Sequence, residues 1–144
     1  MAYKARVMMK DWLGVKDGVF TPTEAARKVH AEYRVVHAKY WWQELSKYMF
    51  LISPTGSAIQ AAKSIEALLV CTVPIIPHMG FNLHNELISM GFPMVVVHSF
   101  EEITVQNTTK WWAKLAPRLD SFRRNCLTND GYWKMLTGEV SFCE

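Results

Sequence analysis

The stretch from Tyr48 to Ile76, YMFLISPTGSAIQAAKSIEALLVCTVPII, constrains the fold more than any other part of the chain. Met49 to Ser53 is a short apolar run rich in β-forming residues, and Pro54, Thr55 and Gly56 break it abruptly. From Ser57 to Val70, the residues Ile59, Ala62, Ile65, Ala67, Leu68 and Leu69 recur at helical spacing and form one broad apolar face. Thr72 to Ile76 is a second apolar run. Two strands joined by a crossover helix lie parallel, and such units are right-handed in nearly all proteins. The loop after the first strand therefore opens at the carboxyl edge of the sheet, where open α/β folds bind ligands.

The residues around that loop suit a phosphate. Gly56 and Ser57 stand at a predicted helix N-terminus, which offers free backbone N–H groups and the positive end of the helix dipole. Lys63 and Glu66, three residues apart, share one helix face. A cation that neutralises a diphosphate and a carboxylate that accepts ribose hydroxyls would serve a nucleotide, although the same pair is also what a solvated helix face displays. SPTG is neither a GxGxxG fingerprint nor a Walker loop.

The order FLISPTG, KSIEAL and TVPII resembles the nucleotide-sugar-binding half of exostosin-type glycosyltransferases. GFPMVVVHSFEEIT, from Gly91 to Thr104, is similar to that family's strand followed by an aromatic, two acids, Ile and Thr. The segment WWAKLAPRLDSFRRNCLTNDGYW is similar to its closing helices. The resemblance runs in one unbroken order from about Tyr40 to Gly138. It implies the donor-binding, Rossmann-like domain of a GT-B enzyme, with a nucleotide sugar such as a UDP-sugar as co-substrate and the Golgi lumen as compartment. Ser53, Thr55, Gly56 and Ser57 would cradle the diphosphate, Lys63 would stand where the family commonly has arginine, and Glu66 would hold the ribose. The acceptor, and usually the catalytic base, belong in such enzymes to the cleft with a second domain, so no catalytic residue is assigned. The chain departs from the pattern at Ala62 and Ile65, where the family carries bulky His, Tyr or Trp, and at Cys71, where it usually carries glycine.

The remaining bounds are less specific. With 144 residues, half of them apolar and a fifth charged, the chain is expected to be one globular domain, with helices over 1–47 and the βαβ-containing core and closing helices over 48–138. A net charge of +3 does not indicate nucleic acid or a membrane surface. No leader pattern opens the chain, and the longest apolar run, Ala67 to Pro77, is too short and proline-broken for a bilayer span. The three cysteines, Cys71, Cys126 and Cys143, follow no metal-binding spacing, and Cys71 is expected to be a buried free thiol. None of the five histidines belongs to an HExxH or comparable metal pattern, so no metal site is expected. His98 stands apart, because it ends a strand at the carboxyl edge.

In order along the chain, Ala2 to Leu13 is expected to be helical and Lys16 to Val19 a turn. Thr21, Pro22 and Glu24 form a helix-start signal for a long helix running toward Lys47, with Ala25, Val29, Tyr33, Val36, Tyr40 and Leu45 facing inward. A short helix over Asn82 to Met90 ends at Gly91, and Met94 to His98 is a third strand buried on both faces. Ser99 and Glu102 form a capping box, which gives Glu101 and Glu102 a structural role, ranked ahead of a catalytic one. Thr108 to Leu115 and Pro117 to Cys126 are expected as two helices split by the proline, with a turn at Asn129 to Gly131. Asn107-Thr108-Thr109 matches the N-glycosylation pattern.

The expected architecture is thus a three-layer α/β domain with a short parallel sheet and helices on both faces. Three functions are compatible with it. The first is the donor-binding domain of an exostosin-like glycosyltransferase, completed by a second domain or chain. The second is a non-catalytic interaction module that keeps the fold and uses Trp41, Trp42, Trp111 or Trp112 as anchors. The third, ranked last, is a nucleic-acid binder using those aromatics and scattered lysines.

Overall fold

Every residue of the strand Val73–Pro77 is buried, and the rest of the molecule is arranged around it. The computed structural model describes residues 2–54 and 62–144. In chain order its elements are α1 (Ala2–Leu13), the hairpin of β1 (Val15–Lys16) and β2 (Val19–Phe20), α2 (Glu24–Lys28), α3 (Trp41–Leu45), β3 (Phe50–Ile52), α4 (Ala62–Leu69), β4 (Val73–Pro77), α5 (Leu83–Ser89), β5 (Val95–Val97), α6 (Val105–Cys126) and α7 (Asn129–Leu136). Single 3-10 turns precede α3 at Ala38–Tyr40 and α6 at Phe100–Glu102. β3, β4 and β5 form one parallel sheet in that order, flanked by helices. This is the α/β arrangement of a Rossmann-like three-layer fold.

Two prolines in the central strand need an account, because proline cannot donate to a ladder. Val73 donates to Met49, and the Ile75 carbonyl accepts from Ser53 at 2.8 Å, so the odd-numbered residues of β4 bond toward β3. The even-numbered ones bond toward β5, as His78 does to the Val97 carbonyl at 2.8 Å. Pro74 therefore faces the β5 side before β5 begins at Val95, and Pro77 faces the β3 side after β3 ends at Ile52. Both occupy positions where the ladder needs no N–H.

The core joins Leu68 of α4, Val73, Ile75 and Ile76 of β4, Val97 of β5 and Phe122 of α6. Phe122 meets Phe92 edge to face at 4.9 Å between ring centroids. α6 runs unbroken through Pro117, where two helices were expected. The proline costs about 3 kcal/mol in a helix interior. Burial of Leu115, Leu119 and Phe122 along one face offsets it. The turn expected at Asn129 to Gly131 is instead the first turn of α7, because the Thr128 hydroxyl caps it by accepting from the Gly131 N–H at 3.1 Å.

Cys126 and Cys143 are joined by a disulfide with Cα atoms 6.0 Å apart. Cys143 also donates its N–H to Met90, and Arg118 donates to the Gly91 carbonyl at 2.6 Å, so the last residues strap α6 to the turn before β5. A Cβ at Gly91 would collide with the Cys143 carbonyl, and Gly91 has φ +107°. Cys71 is half-buried rather than buried, and is the free cysteine.

The long helix expected from Thr21 to Lys47 does not form. Thr23, not Thr21, is the N-cap of α2: its hydroxyl accepts from the Ala26 N–H and donates to the Trp12 carbonyl, pinning the helix start to the end of α1. The helix ends five residues later. His30 turns left-handed at φ 54°, its N–H bonds the Arg27 carbonyl, and the Ala31 N–H bonds that of Ala26. That pair of bonds is a Schellman termination with histidine in the position usually held by glycine. Beyond it, Arg34 pairs with Glu44 and donates to the Tyr48 hydroxyl, which bonds Glu32, so residues 32–34 lie against α3 rather than continuing a helix.

The hairpin before α2 has left-handed φ at both central residues, Asp17 (49°) and Gly18 (77°), as a type I′ turn requires. The same logic explains Cys71. Its N–H bonds the Leu68 carbonyl and that of Thr72 bonds Ala67, so α4 also ends in a Schellman motif, with Cys71 at φ 59°. The left-handed region costs a non-glycine residue about 1–2 kcal/mol, of which the greater freedom of unfolded glycine returns part. Cys71→Gly is therefore expected to stabilise the chain by about 0.5–1 kcal/mol, read as a higher urea midpoint. A lower midpoint would show that packing of the thiol outweighs the backbone term.

Candidate functional site

Three strand ends make the carboxyl edge of the sheet: Ser53 after β3, His78 after β4, and His98 after β5. The sequence places its phosphate cradle at the first. Ser53 is buried, and its hydroxyl lies 3.1 Å from that of Ser64 on α4, so the side chain turns into the domain. Thr55, Gly56 and Ser57, with the expected start of the helix, lie outside the described residues.

Lys63 and Glu66 are where their spacing puts them, on α4, and a third residue joins them. The Trp41 indole N–H donates to Glu66 Oε2 at 2.8 Å, and the Lys63 ammonium lies 6.0 Å from the centroid of the same indole. Trp41 thereby holds the Glu66 carboxylate in one orientation and links α3 to α4. The bond takes one of the several acceptor sites of a carboxylate and leaves others for a ligand hydroxyl. Nothing in local sequence reports this contact, because Trp41 and Glu66 are 25 residues apart. The two Trp pairs sit in different surroundings. Trp41 is half-buried and Trp42 46 % exposed, whereas Trp111 and Trp112 both pack on Phe50, at 6.5 and 5.8 Å between centroids.

The second and third strand ends form a separate cleft of about 380 Å³ against α1. Lys4 and Met8 line it from α1, His78 and Met79 from the end of β4, and His98 and Phe100 from the end of β5. The two imidazoles lie 4.8 Å apart between centroids, inclined at 41°. The backbone beneath them is fixed by Glu102, whose Oε1 accepts from the His98 N–H at 2.6 Å and the Ser99 N–H at 2.9 Å. This completes the capping box expected from Ser99 and Glu102. Glu101 receives the Ser99 hydroxyl, and that hydrogen bond holds its carboxyl below the ordinary range. His98 was legible as a strand-end residue; His78 carried the same signal, two residues beyond the second apolar run and one beyond β4. Asn107, of the glycosylation pattern, lies in the first turn of α6 and donates its side-chain amide to the Glu102 carbonyl at 2.8 Å.

Among the described residues, no group of three or more His, Cys, Asp or Glu side chains is placed to hold a metal ion, and no helix is long and apolar enough to cross a membrane. The chain matches no protein-family model, no curated protein and no solved structure.

Two measurements test the electrostatic reading. Glu102→Ala leaves two strand-end N–H groups without their acceptor and is expected to cost about 1–2 kcal/mol, whereas Glu101→Ala should cost clearly less. Equal urea midpoints for the two variants would remove the distinction. Away from the cleft, burial pushes the pKa of His84 on α5 below its ordinary value, so the unfolded chain takes up that proton more readily than the folded one. The stability this group contributes is complete above about pH 6.5 and is lost as pH falls below it. His84→Gln should flatten the fall in urea midpoint between about pH 7.5 and 5.5; an unchanged slope counts against this assignment.

Proposed function

We propose that this domain binds a nucleotide sugar at the α4 face and serves as the donor-binding part of an exostosin-like glycosyltransferase, with a second domain or chain supplying the acceptor. The observation that carries the reading is the convergence of Lys63 and Glu66 on the ring of Trp41, beside the parallel β3–α4–β4 unit. A nucleotide sugar asks for a cation at its diphosphate and a fixed acceptor at its ribose. Lys63 supplies the first as a point charge, without the bidentate fork of arginine. Glu66, oriented by the indole, supplies the second. Fixed positive charge beside the diphosphate stabilises it as it departs with the bonding electrons of the glycosidic carbon. The resemblance from Tyr40 to Gly138 supports the same reading. The Cys126–Cys143 disulfide is in keeping with a chain matured in an oxidising compartment such as the secretory lumen.

A second reading, a non-catalytic interaction module, is favoured by one observation. Tyr132, Trp133 and Leu136 stand 59 %, 64 % and 62 % exposed on α7, where a partner could cover them.

Calorimetric titration with UDP, GDP and their sugar conjugates separates the two. The donor reading expects a dissociation constant on the order of micromolar, lost in Glu66→Ala and weakened about tenfold in Trp41→Phe, which keeps an aromatic ring but removes the indole N–H. A folded chain that binds none of these nucleotides sinks it and leaves the interaction module.

A further inference from the structure

We propose that the cleft between α1 and the carboxyl ends of β4 and β5 is a phosphate-binding site, where Lys4, His78 and His98 hold the phosphate of a small molecule whose less polar part lies against Met8, Met79 and Phe100. The inference stands on this cleft alone and does not require the α4 site. Its volume, about 380 Å³, lies within the range of small-ligand pockets. Most of its wall is apolar, with a few polar groups along it, which is how sites that orient a small ligand are made.

The chemistry of those polar groups selects the ligand. The Lys4 ammonium carries three donors and no acceptor. The Gly80 N–H faces His78 Nδ1 at 3.4 Å, so the neutral ring carries its proton on Nε2 and presents that N–H as a donor. The His98 ring stands beside it on the neighbouring strand. The nearby acids are already engaged: Glu102 Oε1 takes the His98 and Ser99 backbone N–H groups, and Glu101 takes the Ser99 hydroxyl. Those backbone donors are therefore spent, and recognition falls to the three side chains, which offer donors to an acceptor-rich ligand. A phosphate, with its acceptor oxygens and negative charge, fits that set.

The backbone that carries the two imidazoles is held in place before any ligand arrives. The bond from the His78 N–H to Val97 fixes the two strand ends against each other, and the Glu102 cap fixes the loop that carries His98. A fixed backbone lowers the ordering cost of binding, which then falls on the three side chains.

The test follows the His78 and His98 ring resonances of the full chain by NMR during titration with inorganic phosphate, against sodium chloride at equal ionic strength, and then with UDP. Saturable shifts of both rings with phosphate, at a dissociation constant on the order of 1 mM, are expected. They should weaken about tenfold in Lys4→Ala and be lost in His78→Ala/His98→Ala, where binding is read by calorimetry. Rings that respond to chloride as they do to phosphate, or phosphate binding that survives both variants, overturn the proposal. The UDP arm tells the two sources of phosphate apart in a protein that binds phosphate. Shifts with UDP that vanish in Glu66→Ala mean that the cleft receives the phosphate of the nucleotide held at α4. Phosphate-induced shifts that persist in Glu66→Ala without any UDP response mean a separate phosphorylated ligand, and the cleft then stands while the donor reading falls. UDP binding that depends on Glu66, with no ring response to phosphate, overturns the cleft and leaves the donor reading standing.

Discussion

The structure depends on the burial of β4 between two parallel neighbours. A strand buried on both faces must satisfy its backbone through the ladder and its side chains through helices above and below, so Val73, Ile75 and Ile76 commit the chain to a layered α/β arrangement. Pro74 and Pro77 are tolerated because the staggered ends of β3 and β5 leave no strand on the side to which an N–H at either position would point. The same stagger puts Ser53, His78 and His98 at one edge of the sheet. The place where polar chemistry gathers is thus a consequence of how the ladder ends.

Around that edge the chain uses its polar side chains in two ways. Some act as internal ligands: Ser53 faces Ser64 and Glu102 takes the N–H groups of His98 and Ser99, while at the opposite edge, where β3 and β4 begin, the Thr72 hydroxyl lies within reach of the Leu45 and Tyr48 carbonyls. These bonds answer the cost of burying polar groups near the ends of short strands. The others, Lys63 and Glu66 beside Trp41 and the Lys4–His78–His98 set, retain hydrogen-bonding capacity at the surface. The first group joins α3 to α4, and the second lies where α1 meets the ends of β4 and β5.

Termination recurs as a theme in the helices. Both α2 and α4 end in Schellman motifs with a non-glycine residue, His30 or Cys71, in the left-handed position. Glycine is the residue such a conformation favours. At His30 the chain turns out of the helix, and Glu32 and Arg34 then bond Tyr48 and Glu44 at the surface. The disulfide and Arg118 do the equivalent at the other end of the chain, strapping α6 to the turn before β5.

The sequence by itself determined the parallel direction of the sheet strands, since short apolar runs separated by turn residues and a helical repeat leave a parallel crossover as the packing that buries them. It also determined the Ser99–Glu102 cap and the shared face of Lys63 and Glu66, because those relations span three residues and are fixed by helix geometry. Tertiary structure alone decided where α2 stops, why α6 passes through Pro117, which cysteines join, and which indole holds Glu66. Periodicity and capping act over about four residues, whereas these outcomes balance local costs of a few kcal/mol against contacts between distant segments. The pairing of His78 with His98, and the presence of Lys4 in the lining of the same cleft, belong to the same class: only the placement of α1 against two strand ends brought them together.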